Sequence, residues 1–417
     1  MHVCFTNLWH PPGVADADAL VEADGIRRGF GAALVARGHR VTVVQEAPWP
    51  GAVTRDGVEW VLVPPSPFTV ASRRALGRLG HPSPQVPAPA TSLPPVVERL
   101  RPDLVHSFDL PHYASLALLG DVARRLRVPL VAHFHGGAPA RHPAWRIVER
   151  RALAGVSRLL FTSRARGLDW VRSGALPDDA RIVELFETST AMRASSAPSE
   201  RAAARDRARM PGSPVFLCAG RLDPVKDPLT TLAGFARIAR VRPDARLVLA
   251  WNDAPMEADV RRSIASDPVL APRVELRGHV PHAEMRDLYA GADALLQSSV
   301  REVCGVAVLE ALACGAVPVL TDIPPFRRLT DDGRVGRLFP RGDGVALAAQ
   351  ALALLDGDLP AASAAARAWF DRALTFEVLA AELEAVYRAA ISHQETGSTR
   401  TGRAASAPAA SRSTSSG

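Results

Sequence analysis

Two acidic residues flank a glycine at the start of a predicted helix. Glu302 lies in the loop before Gly305, and Glu310 lies about 9 Å beyond the helix start at 1.5 Å of rise per residue. The free backbone N–H groups at Gly305 and Val306, with the positive end of the helix behind them, could bind a phosphate. Glu302 would accept from sugar hydroxyls and Glu310 from ribose hydroxyls. This arrangement suits a ligand with hydroxyl groups on both sides of a phosphate, which is the layout of a nucleotide sugar.

Two cations follow another predicted strand. The strand runs into Gly220, and Arg221 and Lys226 lie in the turn before the next helix. Lys226 is the single lysine among 50 cationic residues, so a compact point charge is used here where arginine is used elsewhere. Together the two side chains could clamp a diphosphate and stabilise the charge that grows on it as a glycosidic bond breaks.

Two histidines end a third predicted strand. A histidine at the carboxyl end of a strand and before two glycines is a better candidate for a site than a histidine in the core, and we therefore favour His135 over His133. The loop after the first strand, residues 7–24, could contribute Gly13 and Asp24 to the same cleft. We assign these residues to the acceptor side of the predicted site, together with His133.

Short apolar runs that alternate with amphipathic stretches must position these residues. This rhythm predicts β-α-β units and parallel sheets, and such sheets bind ligands beyond the carboxyl ends of their strands. The predicted strands are 2–6, 40–44, 58–63, 103–107, 129–134, 158–161 and 181–186 in the first half, and 215–219, 245–250, 273–277, 293–296 and 317–320 in the second. The fold class is therefore α/β, with two Rossmann-like domains whose sheets face a central cleft.

Changes in composition predict the domain boundaries. Residues 191–213 are small and polar, which is typical of a linker, and residues 393–417 have almost no large apolar side chain, which is typical of disorder. The proline-rich residues 64–93 are predicted to form a long loop. The prediction is an acceptor-side domain at 1–190, a linker at 191–213, a nucleotide-sugar-binding domain at 214–374, a helix at 375–392 that packs back on the first domain, and a disordered tail at 393–417.

Composition excludes several classes of protein. The chain has 417 residues, a net charge of +7, 47% hydrophobic and 22% charged residues, and no basic stripe interleaved with aromatic residues, so a nucleic-acid partner is not expected. We expect neither a secretory signal nor a transmembrane helix, and the four scattered cysteines have no metal-ligand spacing. The predicted location is the cytoplasm. The arginine excess is explained by GC-rich coding, or by peripheral contact with an acidic membrane at its inner face.

The motifs together resemble the retaining family 4 glycosyltransferases, which have the GT-B fold, over most of the chain. The matching segments are GHRVTV at 38–43, RPDLVH at 101–106, His135-Gly136, Gly220-Arg221-Leu222 with Lys226, GHV at 278–280, and Glu302 with Glu310 ahead of Ala-Leu-Ala-Cys-Gly. The resemblance implies that His135 contacts the transferred sugar, that Gly278 and Val280 lie near the base, and that the last helix crosses back to the first domain. It also implies that the transferred sugar keeps its configuration and that no protein nucleophile is needed.

The sequence departs from the family pattern at three places. Val303-Cys304-Gly305 replaces the usual Gly-Phe-Gly, which puts Cys304 among the expected donor-binding residues, and Pro11-Pro12-Gly13 replaces a glycine pair. The segment 186–190 replaces a closing Asn-Gly-Val-Asp. We predict a transferase with a nucleotide-diphosphate-sugar donor and no metal or cofactor. The alternatives are an epimerase or phosphorylase of the same fold, or a catalytically silent binding protein; a dehydrogenase is disfavoured because no dinucleotide glycine fingerprint is present.

Overall fold

Each half of the chain folds around its own sheet. The computed structural model describes residues 1–8, 13–78, 88–110, 112–140, 143–188 and 192–404. The first compact unit contains Met1–Glu184 and the chain from Ala380, and the second contains Leu185–Leu379. The predicted α/β class with two Rossmann-like domains is confirmed for each unit by its sheet.

The first unit contains an eight-stranded sheet in the order β3-β4-β2-β1-β5-β6-β7-β8. Its strands are β1 (His2–Asn7), β2 (Arg40–Glu46), β3 (Gly51–Arg55), β4 (Val58–Val63), β5 (Leu104–Ser107), β6 (Leu130–His133), β7 (Arg158–Phe161) and β8 (Ile182–Glu184). Its first helices are α1 (Ala17–Ala23), α2 (Gly25–Ala36), α3 (Pro67–Arg78), α4 (Leu93–Leu100), α5 (Tyr113–Leu126), α6 (Pro143–Ala154) and α7 (Arg164–Arg172). Successive residues of β5 and β6 are all buried, as expected where helices cover both faces of a parallel sheet.

The second unit contains a six-stranded parallel sheet in the order β11-β10-β9-β12-β13-β14. Its strands are β9 (Val215–Ala219), β10 (Arg246–Ala250), β11 (Val274–Gly278), β12 (Ala294–Gln297), β13 (Val317–Thr321) and β14 (Arg337–Phe339). Its helices are α8 (Pro198–Ala208), α9 (Pro228–Val241), α10 (Glu257–Ser266), α11 (His282–Gly291), α12 (Val306–Ala313), α13 (Pro324–Leu329), α14 (Gly344–Leu355) and α15 (Leu359–Ala373). The last helix, α16 (Phe376–Ala404), contains the boundary between the two units.

The predicted linker at 191–213 is wrong in its centre, where α8 lies. Arg205 on α8 donates from Nε to the carbonyl of Gly291 at 2.7 Å, and its guanidinium also pairs with the buried Asp293. Arg201 on the same helix hydrogen-bonds to Ser363 at 2.6 Å. This helix is therefore held by arginine contacts rather than by an apolar face. Helices were predicted from the periodic spacing of apolar residues, and α8 has no such spacing, so it was missed.

Two further sequence predictions need correction. The predicted loop at 64–93 contains α3, whose mostly polar surface leaves little apolar periodicity; residues 79–87 lie outside the described residues. The predicted disordered tail at 393–417 is helical as far as Ala404, and residues 405–417 lie outside the described residues. Over the described ranges, no single helix has the length and apolar character to cross a membrane, and one bent pair, Gly344–Leu355 with Leu359–Gln394, has them by length and composition alone.

The later part of α16 packs within the first unit. Tyr387 is fully buried, and its hydroxyl lies 2.5 Å from Nδ1 of His106 on β5. Glu384 accepts from Nε of Arg37 at 2.6 Å and from Nε of Arg388 at 2.9 Å. The helix therefore completes the core of this unit, although the intervening unit separates it from the other elements along the chain.

Glu384 makes the stability of this contact depend on pH. Hydrogen bonds from Arg388 and Arg37 lower the pKa of Glu384 to about 2, so its contribution is present above the unfolded pKa of about 4.3 and is lost as the pH falls towards 2. We expect Glu384→Gln to lower the melting temperature at pH 7, because it weakens the contacts with both arginines. The expected fall is only roughly 2 °C, because both arginines are partly exposed. In thermal melts the difference from wild type should shrink below pH 4.5, and a constant difference would contradict this reading.

Candidate active site

The loop between β9 and α9 holds the two predicted cations. Asp223, which is buried, pairs through Oδ2 with Arg221 at 2.9 Å, and its Oδ1 accepts from the backbone N–H of Lys226 at 2.9 Å. Asp227 then caps α9 by accepting from the N–H of Thr230. Asp223 is a positioning residue that was not predicted from the sequence. Its place between two candidate cations in a short turn could have indicated this role.

The loop after β12 brings Glu302 to the same place. Nζ of Lys226 lies 2.5 Å from Oε1 of Glu302, which also accepts from Oγ of Ser299 at 2.8 Å. The two charged side chains are 20% and 9% exposed, so the pair is largely shielded from water. The structure therefore brings together two residues that lie 76 positions apart in the sequence.

Backbone and hydroxyl contacts tie these two loops to each other. Oγ of Ser298 donates to the carbonyl of Asp227 at 2.5 Å and lies 2.6 Å from Oγ1 of Thr231 on α9. The N–H of Val300 donates to the carbonyl of Val225 at 2.9 Å. The relative positions of Lys226 and Glu302 are consequently fixed by the framework of the second unit.

Gly305 forms the N-cap of α12 in a left-handed conformation with φ of +74°. A Cβ atom there would lie 3.0 Å from Leu329 and 3.1 Å from Phe326. The first N–H groups of a helix have no partner within it, and here the helix starts next to the Lys226–Glu302 pair in one cleft. The thiol of Cys304 donates to the carbonyl of Glu187 at 3.1 Å, and burial raises the pKa of Cys304 well above its usual range, so it remains a neutral thiol.

Glu310 lies further along α12 and is held by two residues of α11. Nε2 of His282 lies 2.9 Å from Oε1 of Glu310, and the buried hydroxyl of Tyr289 is also hydrogen-bonded to this carboxylate. Burial, together with Glu310, raises the pKa of Tyr289 well above its usual range, so Tyr289 keeps its proton and donates it. These two contacts fix the orientation of the Glu310 carboxylate. Only 8% of the Glu310 side chain is exposed.

A cleft of about 590 Å³ joins these groups within the second unit. The predicted donor-binding residues on its wall are Gly220, Arg221, Lys226, Val280, Glu302, Cys304, Gly305, Val306 and Glu310. Gly278 is not among the lining residues, because it ends β11 and the wall begins with its neighbour His279. Sequence reasoning also missed Trp251, Asn252 and Met285; the first two follow β10, so the rule that ligands bind beyond strand ends could have identified them.

The first unit holds the remaining predicted residues. His133 is fully buried at the end of β6, and its ring lies 4.8 Å from that of His135, which is less buried. Asp24 caps α2 by accepting from the N–H of Arg27 at 3.1 Å and also pairs with the side chain of that residue, so its carboxylate has a structural role. Gly13 has φ of +78° and open space around it, and the prolines before it lie outside the described residues.

Two α/β units, each built on its own largely parallel sheet, are the architecture of a GT-B protein. A model described as "Glycosyl transferases group 1" matches residues 213–357, and one described as "Glycosyl transferase 4-like domain" matches residues 27–185. The chain therefore belongs to the group 1 glycosyltransferases, and the resemblance found in the sequence is confirmed. It is an enzyme of the transferase class.

Named relatives and solved structures agree with this family. The chain is 28% identical, over 67% of its length and 72% of the relative's, to a GDP-mannose:cellobiosyl-diphosphopolyprenol alpha-mannosyltransferase of Xanthomonas oryzae. It is also 28% identical, over 61% of its length and 59% of the relative's, to a D-inositol 3-phosphate glycosyltransferase of Nocardia farcinica. HepE of Anabaena, solved in complex with UDP, matches 93% of this chain and all of its own with a TM-score of 0.66 at 18% identity, which shows the fold alone.

Proposed function

We propose that this glycosyltransferase takes its sugar from a nucleotide-diphosphate-sugar donor that binds in the cleft of the second unit. The observation that carries the proposal is the convergence of Arg221, Lys226, Glu302, the start of α12 and Glu310 on one cleft. Cations and backbone N–H groups suit a diphosphate, and the two carboxylates suit the hydroxyl groups of the sugar and of the ribose.

Each residue has a distinct role in the proposed reaction. Arg221, Lys226 and the N–H groups after Gly305 bind the diphosphate and stabilise the negative charge that it gains as a leaving group. Glu302 binds sugar hydroxyls, and Glu310 binds the ribose. We expect no metal ion or cofactor to be required, because the two cations supply the positive charge that the departing diphosphate needs.

The first unit is proposed to bind the acceptor, with Gly13, Asp24 and His133 as the candidate residues. The sequence resemblance supports retention of configuration, with His135 contacting the transferred sugar. The two named relatives act on a diphosphopolyprenol-linked saccharide and on inositol 3-phosphate, and the acceptor proposed here is a glycolipid, a polysaccharide or a small metabolite. Peripheral membrane contact stays a prediction from the net charge of +7.

A thermal-shift panel tests the donor proposal. UDP, GDP, ADP and their sugars are added to the full chain, and at least one nucleotide family should raise the melting temperature by several degrees, because a ligand that binds only the folded state stabilises it. No shift with any of these ligands would reject the proposal and favour a silent binding protein. Consumption of a nucleotide sugar without an acceptor would instead favour an epimerase or a phosphorylase.

A further inference from the structure

We propose that His282 is a positioning residue that holds Glu310 for the two hydroxyl groups of a ribose, and that it makes the cleft selective for ribonucleotides. His282 is the first residue of α11, and its Nε2 lies 2.9 Å from Oε1 of Glu310. This inference rests on the proposed function, because ribose is the part of the donor that Glu310 would bind.

One face of α11 supplies the surroundings of the carboxylate. His282, Met285 and Tyr289 are spaced three and four residues apart, which places them on the same side of a helix, and all three line the cleft. Tyr289 donates to Glu310 from the buried side, and His282 contacts the carboxylate with a largely exposed side chain. The orientation of Glu310 is therefore set by one buried contact and one contact at the solvent side of the cleft.

The number of hydrogen bonds on Glu310 explains why His282 matters for ribose. A carboxylate offers about four acceptor positions, so two remain when Tyr289 and His282 occupy two. A vicinal diol such as the 2′- and 3′-hydroxyls of ribose can use both positions, whereas a 2′-deoxyribose can use one. Without His282, the Glu310 carboxylate keeps only the contact from Tyr289 and can rotate about it. One of the two ribose hydroxyls then no longer faces a carboxylate oxygen that can accept its hydrogen bond.

A purely structural role for His282 makes a different prediction. Its side chain is 73% exposed, and an exposed histidine–glutamate contact contributes little to folding. Loss of such a contact would leave nucleotide selectivity unchanged. The ratio of affinities for ribonucleotides and deoxyribonucleotides therefore distinguishes positioning of Glu310 from a surface ion pair.

The test is isothermal titration calorimetry on the full chain with UDP, GDP, ADP and their 2′-deoxy counterparts. Wild type should bind the ribo form of its preferred nucleotide at least about tenfold more tightly than the deoxy form, as expected for a hydrogen bond to a charged group. His282→Ala should reduce this ratio by roughly five- to tenfold and leave the deoxy affinity nearly unchanged. His282→Gln should restore most of the ratio, because its amide N–H can donate to Glu310.

A matched control is His279→Ala, which removes a nearby exposed histidine of the same cleft and should leave the ratio at the wild-type value. An unchanged ratio in His282→Ala, or an equal fall in the His279 variant, would overturn the role of His282 while leaving nucleotide binding in place. Failure of wild type to bind any of the six nucleotides would instead overturn the proposed function.

Discussion

Lys226→Ala should lower turnover by about 10²- to 10³-fold while the chain remains folded, because it removes a fixed positive charge from the place where the leaving diphosphate gains negative charge. Asp223 sets the backbone at Lys226, and Glu302 contacts its Nζ at 2.5 Å, so the charge is positioned before the reaction begins. The measurement is the rate at which nucleoside diphosphate is released from the donor that the thermal-shift panel identifies.

Two further variants make this prediction specific. Arg261→Ala removes another cation of the second unit, but Arg261 is exposed and pairs with Glu257 on its own helix, so its activity should equal that of wild type. Lys226→Arg should recover part of the lost turnover, because it keeps the charge but replaces a point charge with a planar fork. If Lys226→Ala released nucleotide as fast as Arg261→Ala, a diphosphate clamp at this position would be excluded.

Gly305→Ala should weaken binding of the nucleoside diphosphate by at least about tenfold, since small displacements of binding groups have large effects on such sites. The left-handed conformation at φ of +74° costs an alanine about 1–2 kcal/mol. The added methyl group would also lie 3.0 Å from Leu329 and 3.1 Å from Phe326, which is closer than ordinary contact distance. Relieving the backbone strain and the close contacts moves the start of α12 and its N–H groups. Calorimetric titration with the nucleotide measures the resulting loss of affinity.

Gly342→Ala provides the matched control for backbone strain. Gly342 also has a positive φ, of +71°, but no atom lies within 4 Å of the position its Cβ would take. Both variants should therefore lose thermal stability, and only the Gly305 variant should lose affinity for the nucleotide. Equal affinities in the two variants would show that the helix start does not contact the phosphate.

The sheets could be predicted from sequence because their strands are short apolar runs between amphipathic segments. All twelve predicted strands occur, with ends that shift by at most two residues. Two strands were missed, β3 and the three-residue β14 (Arg337–Phe339) at the edge of the second sheet. Strand β3 also lies at a sheet edge, runs antiparallel to β4 and is largely exposed, so it carries no apolar run. The Asp56-Gly57 turn between β3 and β4 was the available signal, since both residues have positive φ and this pair favours tight hairpins.

The candidate site was predictable where chemistry depends on one loop. The cations follow β9, Glu302 precedes α12 and Glu310 lies within that helix, so residue type and position were enough to predict a diphosphate site between two hydroxyl-binding carboxylates. The contact of His282 with Glu310 depends instead on how α11 packs beside α12, and this packing is not encoded by local spacing. The structural role of Asp24 was missed for a related reason, because its carboxylate is used by Arg27, three residues along the chain.

The position of α16 in the first unit has a consequence for protein synthesis. Leu383 and Tyr387 are fully buried in that unit, yet the ribosome adds them after the whole of Leu185–Leu379 has been made. The second unit therefore has all its residues while the first still lacks part of its interior. Premature termination near residue 380 would leave the earlier-synthesised unit incomplete and exposed to proteases, although the lost segment is translated after the whole of the second unit.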